Sequence, residues 1–223
     1  MPSNDLAARL RVVEERIQRA CAAAGRLRSD VLLLAVTKVF PAQAILDAYS
    51  LGQRDFGENY VQEFESKAPE VSSLAGARFH LIGHLQSNKS ARAGELFQVI
   101  QTVDSARLAQ RLDAAARPLD VYIEVKLSPE ESKHGAPPED LPGLVSAIRA
   151  LPNLNLRGLM TMPPWSDDPE LSRPYFRRLR SLAAQHGLAG LSMGMSHDLE
   201  AAIQEGATIV RVGAAVFGSR RAV

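Results

Sequence analysis

The sequence is short of several features that would point elsewhere. It has one cysteine, Cys21, so neither an intramolecular disulfide nor a multi-cysteine metal site can form. Its place in an Ala-rich helical stretch suits a small buried hydrophobe. Charge of either sign is not in excess: 26 Lys and Arg against 25 Asp and Glu leave a formal net charge of +1. No global field therefore draws in nucleic acid or an anionic membrane, and any anion has to be held locally. No apolar run approaches the roughly 18 residues of a membrane span, and the first residues, Met1 to Val13, lack the apolar core of a signal peptide. The expectation is a cytoplasmic protein with no nucleic-acid or membrane partner. Short repeats, Walker A and Rossmann glycine patterns, and His, Asp or Glu spacings typical of a metal ligand set are missing too.

What is present is an ordinary globular composition, 46% apolar and 23% charged over 223 residues, enough for a full core. Candidate strands, most of them short β-branched and aliphatic runs, recur at 31–37, 55–57, 78–82, 98–103, 120–125, 155–161, 190–193 and 208–212. Stretches of helical spacing lie between them at 42–51, 61–67, 89–94, 105–116, 139–150, 169–185 and 197–205. This alternation is that of βαβ units and a parallel sheet. Asp104 and Ser105 before Ala106, Gly187 after His186 and Gly206 after Glu205 punctuate the helices. Eight units without a linker predict an α/β fold and favour a single (β/α)8 TIM barrel over residues 1–223, with an open doubly wound sheet as the alternative. An additional N-terminal helix at 6–24, with Leu6, Leu10, Val13 and Ile17 on one face, is expected to cover one end.

The chemistry-bearing residues fall after the strands, on the rim where barrels keep their sites. The almost wholly apolar first strand runs into Lys38. This is either a lysine snorkelling to water or an amine partly removed from water that can condense with an aldehyde. At the far end, Leu191-Ser-Met-Gly-Met-Ser196 and Thr208-Ile-Val-Arg-Val-Gly213 followed by Ala214 form the loops after strands seven and eight. Small residues and a helix start there suit a phosphate, with Ser196 expected as both helix N-cap and phosphate donor; plain turn and capping roles are the alternative. Arg211, inside an apolar strand, needs a partner: a salt bridge, or the ring nitrogen of a heteroaromatic cofactor such as pyridoxal phosphate. Lysine, anion cradle and arginine together match that cofactor's aldehyde, phosphate and ring nitrogen, and strand eight pairing with strand one would make them neighbours. On the loops after strands two and three, Asn59 can donate to a phenolic oxygen and Glu58 can pair with a rim lysine. His80 reads as a core histidine bonded to a neighbour, and His84 lies either in rim solvent or at the pocket edge.

Ala35-Val-Thr-Lys38, Phe56-Gly-Glu-Asn-Tyr60, Phe79-His-Leu-Ile-Gly-His-Leu-Gln-Ser-Asn-Lys89, Glu131-Ser-Lys-His-Gly135, Gly158-Leu-Met-Thr-Met-Pro-Pro164, Leu191 to Ser196 and Arg211-Val-Gly through Phe217-Gly218 together resemble the pyridoxal phosphate homeostasis proteins. These are single-domain barrels similar to the N-terminal domain of alanine racemase. The resemblance spans nearly the whole chain, in order. It implies that Lys38 holds pyridoxal 5'-phosphate as an internal aldimine, with Met195, Ser196, Gly213 and the backbone of Ala214 around the phosphate and Arg211 at the ring nitrogen. Many members carry a hydroxyl residue where this chain has Ala214, which implies somewhat weaker retention of the cofactor.

An arginine at the ring nitrogen disfavours pyridinium protonation and weakens the cofactor as an electron sink. The expected role is therefore to carry or buffer pyridoxal phosphate inside the cell, as a monomer without turnover, with cofactor-requiring apoenzymes as possible recipients. Two alternatives stand beside it. A single-domain racemase would need a second acid/base, for which Tyr60 is the candidate; a Schiff-base aldolase acting on a sugar phosphate would use the same Lys38 and phosphate loops. Lys133, in the Ser132-Lys-His-Gly135 loop, reads as a solvated rim lysine, with a second, transient aldehyde site as the alternative.

Overall fold

The structure, a computed structural model, describes residues 4–115, 117–130 and 134–218. Eight parallel strands close into a barrel in sequence order: β1 (Leu32–Val36), β2 (Asp55–Glu58), β3 (Arg78–Leu81), β4 (Val99–Val103), β5 (Leu119–Glu124), β6 (Leu154–Met160), β7 (Gly190–Met195) and β8 (Ile209–Val212). β8 pairs back onto β1, with Arg211 beside Leu34 and Val212 beside Ala35. The helices are α1 (Asn4–Ala23), α2 (Ala42–Ser50), α3 (Val61–Val71), α4 (Ser90–Leu96), α5 (Ala106–Asp113), α6 (Leu141–Arg149), α7 (Arg173–Gln185), α8 (Leu199–Gln204) and the single turn α9 (Ala214–Phe217). Among the described residues, no helix is long and apolar enough to cross a membrane.

Strands buried on both faces explain why the sequence shows continuous apolar runs rather than alternation. Odd and even positions still go to different cores. Phe56, Phe79, Leu81, Ile100, Leu159 and Val210 pack outward against the helices. Leu34, Val36, Ile82, Val99, Tyr122, Met160 and Ile209 form a second cluster, which fills the barrel. α3 is held to the outer wall by Phe64, whose ring centroid lies 4.6 Å from that of Phe79 and 4.8 Å from that of Phe97; burying one such side chain stabilises by about 2–3 kcal/mol.

Helix ends follow local chemistry. Ser105 caps α5, its side chain accepting from the Leu108 amide, and Gly187 and Gly206 take the left-handed conformation after α7 and α8, with φ of 64° and 101°. The starts of three helices differ from the sequence reading: 3-10 turns at Ser87–Lys89, Pro138–Asp140 and Pro169–Ser172 precede α4, α6 and α7. α3 runs past Lys67 to Val71 in spite of Pro69, because Phe64, Ala68 and Val71 anchor it by burial. α1 does not cover an end of the barrel. It packs against α8 and α9 on the outer ring, tied by the Arg16–Glu200 ion pair at 2.6 Å and by Arg9 Nε donating to Val216 O at 2.7 Å. α9 is only four residues long, so α1 occupies the place that a full helix after β8 would fill.

Candidate functional site at the barrel mouth

The strand pleat aims every second residue inward, and the inward set continues past the strand ends. On β1, Leu34 and Val36 lead to Lys38; on β2, Gly57 leads to Asn59; on β6, Met160 leads to Met162; on β8, Arg211 leads to Gly213. All of Val36, Lys38, Asn59, Met162, Arg211 and Gly213 line one cavity of about 330 Å³ at the strand C-terminal ends, together with Ile82, Trp165, Met195, Ser196, His197 and Ala214. That size is within the range of about 300–1,000 Å³ of small-molecule sites. Of the residues singled out in the sequence, Lys38, Asn59, Met195, Ser196, Arg211, Gly213 and Ala214 meet here.

Lys38 itself is half-buried, and the backbone on both sides of it is tied down. The Lys67 ammonium, on α3, donates to Thr37 O at 3.0 Å, to Glu58 Oε1 at 2.9 Å and to Glu63 Oε1 at 2.6 Å. Thr37 Oγ1 donates to Glu58 Oε1 at 2.7 Å, and the Val39 amide donates to Glu63 Oε1 at 2.5 Å. Val39 has φ of 63°, a left-handed conformation that is a strain for a β-branched residue. Glu58 is fully buried with Oε2 unpartnered; burial pushes its carboxyl up, against the pull of Lys67. The lysine expected to pair with Glu58 is thus Lys67, buried beneath the turn rather than on the rim.

Arg211 is 4% exposed. Its Nη1 donates to Ser192 Oγ and its Nη2 to Thr161 O, each at 2.9 Å. Burial lowers its pKa to about 10, while the carboxylates of Asp198 and Glu124 act the other way; the guanidinium remains charged at neutral pH.

In the loop after β7 the structure corrects one expectation. Ser196 does not cap the following helix, which starts at Leu199 with Asp198 as its N-cap residue. Asp198 turns back instead, and its Oδ1 accepts from the Met195 amide at 2.7 Å. That amide is therefore committed, and Met195 lines the cavity without it. Ser196 Oγ is released from capping and accepts from the Ala215 amide at 3.4 Å. It faces the first turn of α9, whose leading amides have no acceptor within the helix. Gly194, at φ 90°, makes the turn, and a Cβ there would stand 2.4 Å from the Cβ of Ala202. At Gly213 a Cβ would lie 3.3 Å from Val36 O, so the bare backbone keeps β8 close to β1 beside the cavity.

Several rim residues sit apart. His84 and Tyr60 line a neighbouring cavity of about 380 Å³, which shares only Asn59 with the first. His84 stacks on His134 with ring centroids 3.8 Å apart, and burial and the neighbouring His134 lower its pKa. His80 is a bonded core histidine, as read. Lys133 lies outside the described residues. Trp165, Met162 and His197 were not singled out in the sequence. Trp165 is exposed and tilts against His197 at 5.1 Å, and His197 Nε2 contacts Asp167 O at 2.9 Å. Met162 was legible, two residues after the inward Met160; Trp165 sits on a loop that no periodicity describes. Among the described residues, no cluster of three or more His, Cys, Asp or Glu could hold a metal ion.

Residues 9–221 match the family described as alanine racemase, N-terminal domain. The pyridoxal phosphate homeostasis protein of Pseudomonas aeruginosa is 49% identical over 214 residues, covering 93% of each chain. That of Escherichia coli strain K12 is 42% identical over 230 residues, covering 97% of each. This chain belongs to the pyridoxal phosphate homeostasis protein family. Among solved structures, PipY of Synechococcus elongatus with pyridoxal phosphate bound is 39% identical, with a TM-score of 0.81 over 91% of this chain and 100% of that one. Alanine racemase of Clostridium difficile, 14% identical with a TM-score of 0.73, covers all of this chain but is itself covered over only 58%, so it shares the fold with the family and no more.

Proposed function

We propose that this protein binds pyridoxal 5'-phosphate through Lys38 and serves as a carrier or buffer of it, without turnover of its own. One observation carries the reading: an amine, a guanidinium and a small-residue anion cradle, from the first and last strands of the chain, border the same cavity. The family's name and the cofactor in PipY support it.

The residues fit the group. When bound, pyridoxal phosphate supplies an aldehyde that condenses with amines. Lys38 is the amine that carries it, on a turn held from both sides. Ser196 and the backbone at Gly213 and Ala214 hold the phosphate, in the manner of helix-start anion sites. Asn59 donates to the phenolic oxygen. Arg211 donates to the ring nitrogen and keeps its own proton, because a guanidinium does not readily give one up. The ring nitrogen stays unprotonated, which disfavours carbanion chemistry and suits storage and supply, with apoenzymes as recipients.

Borohydride reduction of the protein after incubation with pyridoxal phosphate, followed by peptide mass spectrometry, tests the reading. A pyridoxyl group on Lys38 is expected; an unmodified Lys38 would reject it, as would the aldolase outcome, adduct formation with a sugar phosphate only. For the racemase alternative, the loaded protein is expected to exchange no α-proton of alanine in deuterated water. Tyr60 lies outside the cavity and is 57% exposed, which agrees with that expectation.

A further inference from the structure

The barrel interior is mostly apolar, yet one line of polar side chains crosses it. Arg211 Nη1 meets Ser192 Oγ at 2.9 Å, Ser192 Oγ meets Gln101 Oε1 at 2.6 Å, Gln101 Nε2 meets His80 Nδ1 at 3.0 Å and His80 Nε2 meets Asp55 Oδ1 at 3.1 Å. The line joins β8, β7, β4, β3 and β2. Ser192 and Gln101 are fully buried, and His80 is 2% exposed. Buried polar groups at this depth are costly unless every one is paired.

For a neutral His80 ring, the donor and acceptor roles leave only one direction. A guanidinium has no acceptor, so Ser192 accepts from it and spends its single proton on Gln101 Oε1. With its oxygen taken, the Gln101 amide presents NH₂ to His80, whose Nδ1 therefore carries no proton. The His80 proton sits on Nε2 and points at the Asp55 carboxylate. Reversing the amide would aim His80 Nδ1–H at Gln101 and leave a bare Nε2 against an ionised carboxylate. Burial lowers the His80 pKa, consistent with a neutral ring. Every link thus donates away from the cation at the mouth and towards an anion at the start of β2. Thr161 O takes Nη2, so two hydrogens of the guanidinium are fixed and its plane is set.

We propose that the Asp55–His80–Gln101–Ser192 line positions the Arg211 guanidinium in the plane from which it meets the cofactor's ring nitrogen, with Gln101 as the positioning residue that sets the direction of the line. This rests on the pyridoxal phosphate reading above. Asp198 and Glu124 also act on the charge of Arg211; what the interior line supplies is orientation.

Two measurements test it. In cofactor-free protein, ring-nitrogen NMR should report His80 as a neutral imidazole with its proton on Nε2. Gln101→Glu, which sets a second acceptor against Nδ1, should move a proton onto that nitrogen. In protein loaded with pyridoxal phosphate, Gln101→Leu and Ser192→Ala should each weaken cofactor binding about fivefold and shift the visible band of the Lys38-bound cofactor. A His80 proton on Nδ1 in the wild type would overturn the proposal. So would Gln101→Leu or Ser192→Ala protein, folded by circular dichroism, with wild-type affinity and band. If Gln101→Leu does not fold, Ser192→Ala and the NMR of Gln101→Glu decide. If the wild type takes up no pyridoxal phosphate, the functional reading fails by itself, and the His80 tautomer still decides whether the line runs as described.

Discussion

At the scale of single residues, the site pairs strain with economy. Val39 adopts a left-handed backbone and is 54% exposed, so little packing offsets the conformation. Val39→Asn, which tolerates that region, is expected to raise stability by about 1 kcal/mol in denaturant titrations; unchanged or reduced stability would contradict the strain. Ala214 is exposed at the start of α9, beside Ser196 and Gly213 in the cavity wall. Ala214→Thr should tighten pyridoxal phosphate by about 1 kcal/mol, read as a lower Kd, and no tightening would count against that placement of the phosphate. Lys38 and Arg211 were both legible in the sequence, because a charge at the end of, or inside, an apolar strand has to be explained. The committed amide of Met195 was not, since it depends on Asp198 folding back across a turn.

At the scale of elements, two charge clusters, each centred on a buried carboxylate, hold the helices that frame the barrel. Lys67 ties α3 to the turn after β1. A lysine in the middle of an amphipathic helix ordinarily reads as solvated; its burial follows from α3 packing it against Thr37 O and the Glu58 carboxylate, which spacing alone does not convey. Lys67→Met leaves Glu58 buried without its cation and should cost about 3 kcal/mol, with weaker retention of pyridoxal phosphate as the Lys38 turn loosens. Stability within 0.5 kcal/mol of wild type, an approximate limit for neutral surface changes, would refute that role. The second cluster is Glu205, at the end of α8, against Arg173, Arg177 and Arg180 at 3.3, 2.9 and 3.3 Å. Burial pushes the Glu205 carboxyl up, but hydrogen bonds from Arg177 and Arg173 outweigh it and hold the pKa below the ordinary value. A carboxyl depressed in the folded state binds its proton more readily when unfolded. Its contribution is therefore present above the unfolded value, about 4.3, and is lost as pH falls through the folded one. Glu205→Gln should lower stability at pH 7 by about 1.5 kcal/mol, with the gap to wild type closing in acid; a gap independent of pH would contradict the linkage.

At the scale of the molecule, the order of eight strand and helix units was readable because most strands are bounded apolar runs, β2 (Asp55–Glu58) being the weakest, and the count favoured closure over an open doubly wound sheet. Two features were not readable. α1 belongs beside α8 because α9 stops after one turn, at Gly218 with φ of 89°, and where α1 docks depends on contacts between segments far apart in the chain. The interior line from Asp55 to Arg211 joins five strands whose members are polar residues inside apolar runs. Each is explicable singly, but their meeting depends on the registers between strands. The whole arrangement has one outcome: Lys38, on the turn after β1, lines the same cavity as Arg211 of β8 and the small residues that follow β7 and β8. The most direct measurement is the absorption spectrum of purified wild-type and Lys38→Ala protein during titration with pyridoxal phosphate. The account predicts a saturable visible band of the lysine-bound cofactor in the wild type and none in Lys38→Ala; the same band in both proteins, or in neither, would contradict it.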